Sequence, residues 1–444
     1  MISPDAGLPV DFPENLAGWL SQLEGRHPKG QAGIELGLER VRQVSEALGQ
    51  QPFCPIITVA GTNGKGSTVA YLESILSMAG HKVGCYSSPH LLAYNERVRI
   101  GGRAVADAGL CAAFARVESA RRQAGNVLLT YFEFGTLAAW EVFAQAGCEV
   151  LVLEVGLGGR LDAVNLYDPD LALVTTVDLD HQDWLGPDRE SIGFEKAGIF
   201  RAGRPALCGD SQPPARLLDH AGRLGVPLQL IGRDFGFQKD DENRFEWRYW
   251  GKRADGSIQR RSLAYPGLRG AVQLKNAALA IAALDVLAPR LPVTMQAIRQ
   301  GLIHVELPGR FQVLPGRPAL VLDVGHNPQA VQVLAENLGT MGFFEQTYAV
   351  LGMLADKDVA GSIAALRGRV AHWFLTDLEG PRGLKAEALA EQVGRADPGI
   401  ALSCHRSPAE ALAAAQEVAG ENDRILAFGS FYTVAGALQA LGRA

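Results

Sequence analysis

Residues 57–68 read Ile57-Thr58-Val59-Ala60-Gly61-Thr62-Asn63-Gly64-Lys65-Gly66-Ser67-Thr68. An apolar run typical of a buried strand leads into glycines, a lysine and a pair of hydroxyl residues, and a helical pattern follows over 66–79. Glycines allow backbone N–H groups to face phosphate oxygens, and the N-terminus of a helix adds positive partial charge. Lys65 can reach the β- and γ-phosphates, while Ser67 or Thr68 can hold Mg²⁺. The stretch therefore predicts a phosphate loop between a strand and a helix.

The match to the usual phosphate-loop pattern GxxxxGK[ST] is incomplete. Val59 stands where the first glycine is expected, and Gly66 separates Lys65 from Ser67. The alternative is a glycine-rich turn that happens to contain a lysine. The strand–loop–helix context favours the phosphate loop.

Short apolar runs alternate with amphipathic helical stretches along most of the chain. The runs predict strands at 56–60, 150–155, 171–177, 319–324, 348–351 and 425–428, and helices are predicted at 66–79, 329–338, 359–366 and 433–441. Further helices are predicted at 272–287 and 294–302. This alternation is typical of α/β proteins with mostly parallel sheets covered by helices on both faces.

Residues 234–265 differ from the rest because polar and aromatic residues alternate with a period of two, as in Phe245, Trp247 and Tyr249. Turn signals at Gly251 and at Asp255-Gly256 predict a small antiparallel sheet. A nucleic-acid surface is the alternative for such aromatic residues, and we favour the edge of a sheet.

The helical pattern breaks at Leu307-Pro308-Gly309-Arg310, after which strand–helix alternation begins again. We therefore predict two domains. Residues 1–303 would form a mononucleotide-binding domain with a phosphate loop, a mostly parallel sheet and the small antiparallel sheet. Residues 304–444 would form a smaller Rossmann-like α/β domain.

Composition limits the classes of protein that this chain can represent. It has 444 residues, is 47% hydrophobic, and has 42 basic against 48 acidic residues, a formal charge of −6. Such a chain has enough apolar material for large cores, which argues against disorder, and it lacks a broadly basic surface for nucleic acid. The 51 glycines indicate either low complexity or many loops in which backbone approaches a ligand.

The remaining sequence signals favour a cytoplasmic protein. The six cysteines are scattered without a CxxC pair, which is typical of reduced intracellular proteins. We expect no signal peptide and no contact with a membrane, because neither a basic region with an apolar run nor a stretch of about 18–20 apolar residues is visible. No motif suggests obligate assembly, so we expect a monomer.

Two residues after predicted strands are candidate ligands of a metal ion. Glu154 ends the apolar run 150–155 just before a glycine loop, and His181 follows the run 171–177. Ligands of parallel sheets bind beyond the carboxyl ends of the strands, and carboxylates suit Mg²⁺. Taken alone, Glu154 could form a structural ion pair and His181 could be an ordinary surface or core residue, but together they favour a metal site.

These motifs together resemble the Mur ligase superfamily, in its folylpolyglutamate synthase branch. The segments that carry the resemblance span nearly the whole chain: GTNGKGST (61–68), YSSPHL (86–91), TYFEFGT (130–136), LEVGLGGRLDA (153–163), DHQDWLG (180–186), EKAGIF (195–200), LPGRFQ (307–312), DVGHNP (323–328), GMLADKD (352–358) and GSFYTV (429–434). One position departs from the family pattern, since Val164 stands where a small or hydroxyl residue is usual.

The resemblance implies a role for each matching residue. ATP would be bound by Gly61, Thr62, Asn63, Gly64, Lys65, Gly66, Ser67, Thr68, Asn276, Arg310 and Asp323. Mg²⁺ would be held by Ser88, Glu154 and His181, and a pterin substrate by Thr130, Phe132, Asp162 and Ala163. The catalytic set would be Lys65, His181, Lys196, Arg310, Asp323 and His326.

Lys196 is singled out only by the resemblance, because most lysines are solvated. In the family, a lysine in this position is commonly carbamylated, which turns a cationic side chain into an anionic oxygen ligand. Carbamylation requires a neutral amine, which is rare for a lysine whose pKa is about 10.4. The resemblance thus implies a carbamylated Lys196 that supports the second of two Mg²⁺ ions.

The activity implied is ATP-dependent addition of L-glutamate to dihydropteroate and to reduced folates, through an acyl phosphate. The alternatives are a folylpolyglutamate synthase without the first activity, another amide ligase of the superfamily, and an ATP-binding switch without ligase chemistry. ATP turnover that requires both a pterin carboxylate and glutamate separates these alternatives.

Overall fold

A computed structural model of the chain describes residues 12–28, 33–239, 246–253 and 255–443. The described helices are α1 Leu16–Arg26, α2 Glu39–Leu48, α3 Lys65–Met78, α4 Asp107–Gln123, α5 Tyr131–Ala146, α6 Gln182–Leu185, α7 Arg189–Ala197, α8 Ala215–Leu224, α9 Ala271–Leu287, α10 Met295–His304, α11 Pro328–Gly339, α12 Val359–Ala364, α13 Ala386–Ala396, α14 Pro408–Val418 and α15 Phe431–Ala440. Short 3-10 turns lie at Tyr94–Arg97 and Ala163–Leu166.

The largest sheet has eight strands in the order β4-β3-β2-β5-β1-β6-β7-β8. Their bounds are β1 Ile56–Ala60, β2 Val83–Tyr86, β3 Val98–Ile100, β4 Arg103–Ala104, β5 Val150–Glu154, β6 Leu171–Val174, β7 Ala206–Cys208 and β8 Leu228–Leu230. Only the edge strands β3 and β4 pair antiparallel; the others are parallel. This sheet confirms the predicted α/β class.

Strand β1 lies near the middle of this sheet, between β5 and β6, and all five of its residues are buried. Ile56 and Ala60 pack into one apolar cluster, whereas Ile57 and Val59 pack into another on the opposite face. Both faces are buried because helices cover both, which explains why the strand reads as a continuous apolar run.

The segment with alternating aromatic residues forms the predicted small antiparallel sheet, with its strands in the order β11-β10-β9. Its strands are β9 Phe235–Lys239, β10 Glu246–Lys252 and β11 Ile258–Ala264. Trp247 and Tyr249 are fully buried, and the Tyr249 hydroxyl donates to Asp285 of α9 at 2.8 Å. Within the described residues, the aromatic alternation therefore reflects core packing. Phe245 lies outside the described residues.

A third sheet begins after residue 311 and has six strands in the order β12-β13-β17-β14-β15-β16. The strands are β12 Gln312–Leu314, β13 Ala319–Asp323, β14 Thr347–Leu351, β15 His372–Thr376, β16 Ala401–His405 and β17 Arg424–Phe428. Only β12 is antiparallel. The predicted division of the chain at residue 304 coincides with the end of α10, and the two-domain boundaries stay a prediction.

Most predicted elements are present within a few residues of their expected ends. The clearest difference is β6, which was expected to run to residue 177 but ends at Val174. Thr175 and Thr176 leave the strand because their hydroxyl groups donate to the carbonyl oxygen of Asn63 in the phosphate loop. None of the described helices is long and apolar enough to cross a membrane.

Helices α3 and α10 pack so closely that a glycine is needed where they cross. A Cβ atom at Gly301 would lie 2.5 Å from the Cα atom of Ile75, and Ser74 donates to the Gly301 carbonyl oxygen at 2.8 Å. Because α3 begins at the phosphate loop, this contact fixes the helix that carries the loop.

We predict that Gly301→Ala lowers the apparent free energy of unfolding by about 1–3 kcal/mol, because overpacking pushes two helices apart. Denaturation with urea checks this. Gly222→Ala is the matched control: Gly222 is exposed in α8, and its Cβ would meet nothing within 4 Å. The control should be neutral or slightly stabilising, since alanine is the better helix former. Equal destabilisation by both changes would contradict the packing argument.

Candidate active site

A cavity of about 1150 Å³ lies between the large sheet and the C-terminal sheet. With one exception, every site residue predicted from the sequence lines it. They are Gly61, Thr62, Asn63, Gly64, Lys65, Gly66, Ser67, Ser88, Thr130, Phe132, Glu154, Asp162, Ala163, His181, Lys196, Asn276, Arg310, Asp323 and His326. The exception is Thr68, which is fully buried and whose hydroxyl donates to the Gly64 carbonyl oxygen within α3.

Glycines give the phosphate loop its shape. Gly61 follows β1 with φ +151°, and its Cβ would lie 1.8 Å from the Thr175 hydroxyl oxygen. Gly64 has φ +87° at the start of α3, and its Cβ would lie 2.7 Å from Asn276 Oδ1. Any side chain at either position would collide with a neighbour or strain the backbone. The loop is therefore held against β6 and α9 before any ligand binds.

Lys65 is the first residue of α3, and its side chain turns back onto the phosphate loop. Its Nζ donates to the carbonyl oxygens of Gly61 at 2.9 Å and of Thr62 at 3.2 Å. Burial lowers the pKa of Lys65, while the negative charges of Glu154 and Asp180 oppose that shift. The ammonium group thus lies at the phosphate loop, where it donates hydrogen bonds to carbonyl groups.

Glu154 ends β5 as expected and is only 4% exposed. Burial raises its pKa, and the charges of Lys65 and Arg310 lower it. One carboxylate oxygen accepts weakly from the Ser88 backbone N–H at 3.4 Å, and both lie 3.9 Å from where a Cβ at Gly66 would stand. The carboxylate therefore faces the phosphate loop among cations.

The predicted metal ligands fit Mg²⁺ by the chemistry of their donors. Glu154 and Ser88 supply hard oxygen atoms beside the phosphate loop, and Mg²⁺ prefers one or two carboxylates together with substrate phosphates. Within the described ranges, no group of three His, Cys, Asp or Glu side chains converges as a metal cage.

His181 and Lys357 meet at the side of the cavity that the C-terminal part provides. His181 has φ +51° at the start of α6, and its Nε2 accepts from Lys357 Nζ at 3.5 Å. Burial, with some contribution from nearby cations, lowers the pKa of His181 to about 4. The imidazole is therefore neutral near pH 7, and its one lone pair, on Nε2, faces Lys357; a metal ion bound there would replace this hydrogen bond.

Asp180, which is not among the site residues predicted from the sequence, lies at the centre of a polar cluster between the two halves of the chain. Its Oδ1 accepts from Lys357 Nζ at 2.7 Å, and its Oδ2 lies 3.4 Å from Asn327 Nδ2 and 3.8 Å from His326 Nε2. Asp180 and Lys357 belong to two motifs, DHQDWLG and GMLADKD, that are far apart in sequence. Asp180 stands directly before His181, and Lys357 lies inside a matched motif. These are the sequence signals that could have drawn attention to them.

Asn63 also joins the two halves. Its side chain donates to Asn327 Oδ1 at 3.2 Å and to Gln329 Oε1 at 2.5 Å, and it accepts from Asn327 Nδ2 at 3.1 Å. The amide of this phosphate-loop residue therefore faces the start of α11. Asn63 lines the cavity, and its expected contact with nucleotide stays a prediction.

Lys196 lies at the end of α7 and is only 3% exposed. Burial, together with the charge of Lys65, lowers its pKa to about 7. A large share of this amine is therefore neutral near pH 7, which is the form that reacts with carbon dioxide. The buried environment removes the usual obstacle to carbamylation.

The predicted pterin-binding residues form one wall of the cavity. Thr130 caps α5 and exchanges hydrogen bonds with Glu133, while Phe132 packs on Gly156, where a Cβ would come within 2.7 Å of the ring. Asp162 accepts from the N–H groups of Leu157 and Val164, and burial raises its pKa to about 7. Val164 is fully buried in the apolar core, so its side chain does not line the cavity.

Arg310 and Asp323 bring the C-terminal part to the phosphate loop. Asp323 ends β13 and accepts from the N–H groups of Phe311 at 2.8 Å and Gly325 at 2.7 Å. These bonds hold the loops on both sides of the strand, so the geometry gives Asp323 a positioning role. Arg310 is near Glu154 and Asp323, whose charges raise its pKa against the larger lowering effect of burial.

Comparison with known proteins agrees with this arrangement. The Mur ligase middle domain model matches residues 59–284, and the Mur ligase glutamate ligase domain model matches residues 309–431. The chain is 45% identical over 427 residues to the dihydrofolate synthase/folylpolyglutamate synthase of Escherichia coli K12, covering 96% of this chain and 95% of that protein. This chain belongs to the dihydrofolate synthase/folylpolyglutamate synthase family of Mur ligases.

Solved structures of Mur ligases in this family have the same fold. Escherichia coli FolC in complex with DHPP and ADP has a TM-score of 0.88 at 45% identity, with 97% of this chain and 98% of that chain covered. A bifunctional folylpolyglutamate synthase/dihydrofolate synthase with Mn, AMPPNP and L-glutamate bound has a TM-score of 0.86 at 43% identity, with the same coverage. Those relatives bind an adenine nucleotide, and the second also binds a divalent metal ion.

We predict that Asp180→Asn lowers the apparent free energy of unfolding by about 1–3 kcal/mol. The pair with Lys357 is buried, with the side chains only 12% and 5% exposed, so the change leaves a buried cation without its closest counterion. The loss is moderate because Asp356 lies 3.9 Å from Lys357 and asparagine keeps one oxygen acceptor.

The matched control is Asp183→Asn, at an exposed aspartate in α6 that takes part in no ion pair among the described residues. It should change the free energy of unfolding by less than about 0.5 kcal/mol. The two variants are compared by urea denaturation at one pH. Equal effects would show that the buried pair does not stabilise the fold.

Proposed function

We propose that this chain joins L-glutamate to dihydropteroate, forming dihydrofolate, and to reduced folates, forming folylpolyglutamates, at the expense of ATP. One observation carries the proposal: the phosphate loop, Glu154 and the wall formed by Thr130 and Phe132 line a single cavity in a chain of this family. A nucleotide and a pterin carboxylate can therefore meet there. The cavity is large enough for both molecules, since single-ligand pockets are about 300–1,000 Å³.

The first step requires two anions to approach each other. The substrate carboxylate attacks the γ-phosphate of ATP, which gives an acyl phosphate and ADP. Lys65, Arg310 and the backbone N–H groups of the phosphate loop would offset the negative charge as it shifts during transfer. The same cations lower the pKa of Glu154 against the larger effect of burial, which raises it.

The second step forms the amide bond. The neutral amine of glutamate attacks the acyl carbon, phosphate leaves, and the amine proton passes to a base or to phosphate. The loops held by Asp323 and Asp180 would keep Arg310 and His326 around the reacting groups, so that positioning contributes much of the acceleration. Exclusion of water matters because an acyl phosphate hydrolyses readily.

We further propose that Ser88, Glu154 and His181 hold Mg²⁺ and that a carbamylated Lys196 supports a second ion. When bound, Mg²⁺ supplies charge that offsets the repulsion between carboxylate and triphosphate. The donors on this chain and the lowered pKa of Lys196 support the proposal. The expectation that the protein is a cytoplasmic monomer stays a prediction, which light scattering and cell fractionation would test.

The first experiment supplies dihydropteroate, L-glutamate and Mg-ATP to the purified protein and then replaces dihydropteroate by tetrahydrofolate. We expect ADP release that depends on both the pterin and glutamate, with products whose masses each show one added glutamate. ADP release with tetrahydrofolate but not with dihydropteroate would indicate a folylpolyglutamate synthase that lacks dihydrofolate synthase activity. ATP turnover that needs neither substrate would indicate a switch, and no turnover with either pterin would refute the ligase.

We predict that Lys196→Ala lowers the rate by about 10²–10³, the usual cost of removing one preorganised charged group. The readout besides activity is the carbamate signal in magnetic resonance after incubation with isotopically labelled bicarbonate, which the wild type should show and the variant should lack. Lys252→Ala is the control, since that lysine is 43% exposed at the end of β10. Full activity in Lys196→Ala would refute the role of the carbamate.

A further inference from the structure

Arg97 is a buried cation in the cavity wall to which none of the motifs gives a role. It ends the 3-10 turn Tyr94–Arg97 just before β3, lines the cavity and is only 8% exposed. Burying an arginine destabilises the folded protein unless its charge is compensated. The groups around a buried arginine therefore indicate its role.

The partners of Arg97 are all neutral. Its Nε donates to His90 Nδ1 at 2.8 Å, and its guanidinium lies over the rings of Tyr94 at 5.5 Å and Tyr131 at 5.6 Å. It also approaches the Tyr86 hydroxyl. In the described part of the chain, no carboxylate forms an ion pair with it. The tyrosine rings offset part of the cost of burial through cation–π contacts.

Other buried arginines in the same protein have carboxylate partners. Arg99 is only two residues away, and its guanidinium bonds Glu73 at 2.7 Å. Arg121 bonds both oxygens of Glu118. Unlike these two arginines, Arg97 has no carboxylate partner among the described residues, and it lies at a cavity wall. This arrangement suits an anionic ligand, because guanidinium binds carboxylates through a planar fork of donors.

The position of Arg97 indicates which anionic ligand it can bind. Its hydrogen-bond partner His90 is two residues from Ser88, whose N–H faces Glu154 at the phosphate loop. Its aromatic partner Tyr131 stands between Thr130 and Phe132 of the wall proposed to bind the pterin. Arg97 therefore contacts both the segment that follows Ser88 and the segment that carries the proposed pterin wall, in the cavity that they share.

We propose that Arg97 binds the unreacted carboxylate of the terminal glutamyl residue of folate substrates. This inference rests on the proposed function. Dihydropteroate has a single carboxylate, which reacts with ATP. A folate ends in glutamate, so one of its two terminal carboxylates reacts and the other stays in the cavity as an anion. The incoming L-glutamate brings its carboxylates in both reactions, so the folate reaction differs by one further anion, on the tail of the pterin substrate itself.

The test compares both substrates on one variant. We expect Arg97→Gln to lower kcat/KM for tetrahydrofolate by about 10- to 100-fold, the range for losing a hydrogen bond to a charged group, and to lower kcat/KM for dihydropteroate by less than about 3-fold. Arg97→Lys should lie in between, because lysine keeps the charge but loses the fork. Arg103→Gln is the control, at an exposed arginine of β4 in the same hairpin.

A second readout needs no turnover. Without ATP, tetrahydrofolate should raise the unfolding temperature of the wild type more than that of Arg97→Gln, whereas dihydropteroate should raise both equally. Equal losses with both substrates would overturn the proposal, since they would indicate a structural role or contact with the reacting carboxylate. The proposal would also be overturned if the ratio of kcat/KM for tetrahydrofolate to kcat/KM for dihydropteroate were the same in Arg97→Gln as in the wild type. If the wild type used neither substrate, the proposed function itself would fail, which is a distinct result.

Discussion

The turn from β1 into α3 must keep backbone N–H groups free for phosphate, and much of the site is arranged around that need. Side chains cannot be accommodated at Gly61 and Gly64, because Thr175 and Asn276 occupy the space where their Cβ atoms would lie. The early end of β6 follows from the same constraint, since Thr175 and Thr176 leave the sheet to bond the loop. Packing of α10 on α3 then holds the helix whose N-terminus faces the cavity.

Around this loop the protein keeps charges that are buried and only partly paired. Burial pushes the pKa of Glu154 up and the pKa values of Lys65 and Lys196 down, and the opposite charges nearby restrain the first two shifts. Such a cluster is poorly stabilised without ligands. Nucleotide, metal ion and substrate carboxylate would supply the missing counter-charges, so the same burial that costs stability prepares the site for its anionic ligands.

The two halves of the chain meet through polar contacts at this cluster. Asn63 of the phosphate loop bonds Asn327 and Gln329, and Asp180 bonds Lys357. Polar interfaces of this kind let domains move relative to each other more readily than apolar ones. They also mean that the loop that receives phosphate is in direct contact with the C-terminal part, which carries Arg310 and His326.

The α/β class, the strand–loop–helix context of the phosphate loop and the strand-end position of Glu154 can be predicted from the sequence. They follow from local periodicity and from residues adjacent along the chain. The glycine surplus was resolved in the same way: many glycines lie in loops, not in low-complexity tracts. The sequence did not reveal the contacts of Asp180, Lys357 or Arg97. The nucleotide contact expected of Thr68 stays a prediction, and its hydroxyl donates to the Gly64 carbonyl oxygen. Whether a charge is paired depends on residues distant in sequence, as Arg99 with Glu73 and Arg97 without a carboxylate show. Those pairings cannot be predicted from local sequence, because burial and the distance between two charges are set only when the chain folds.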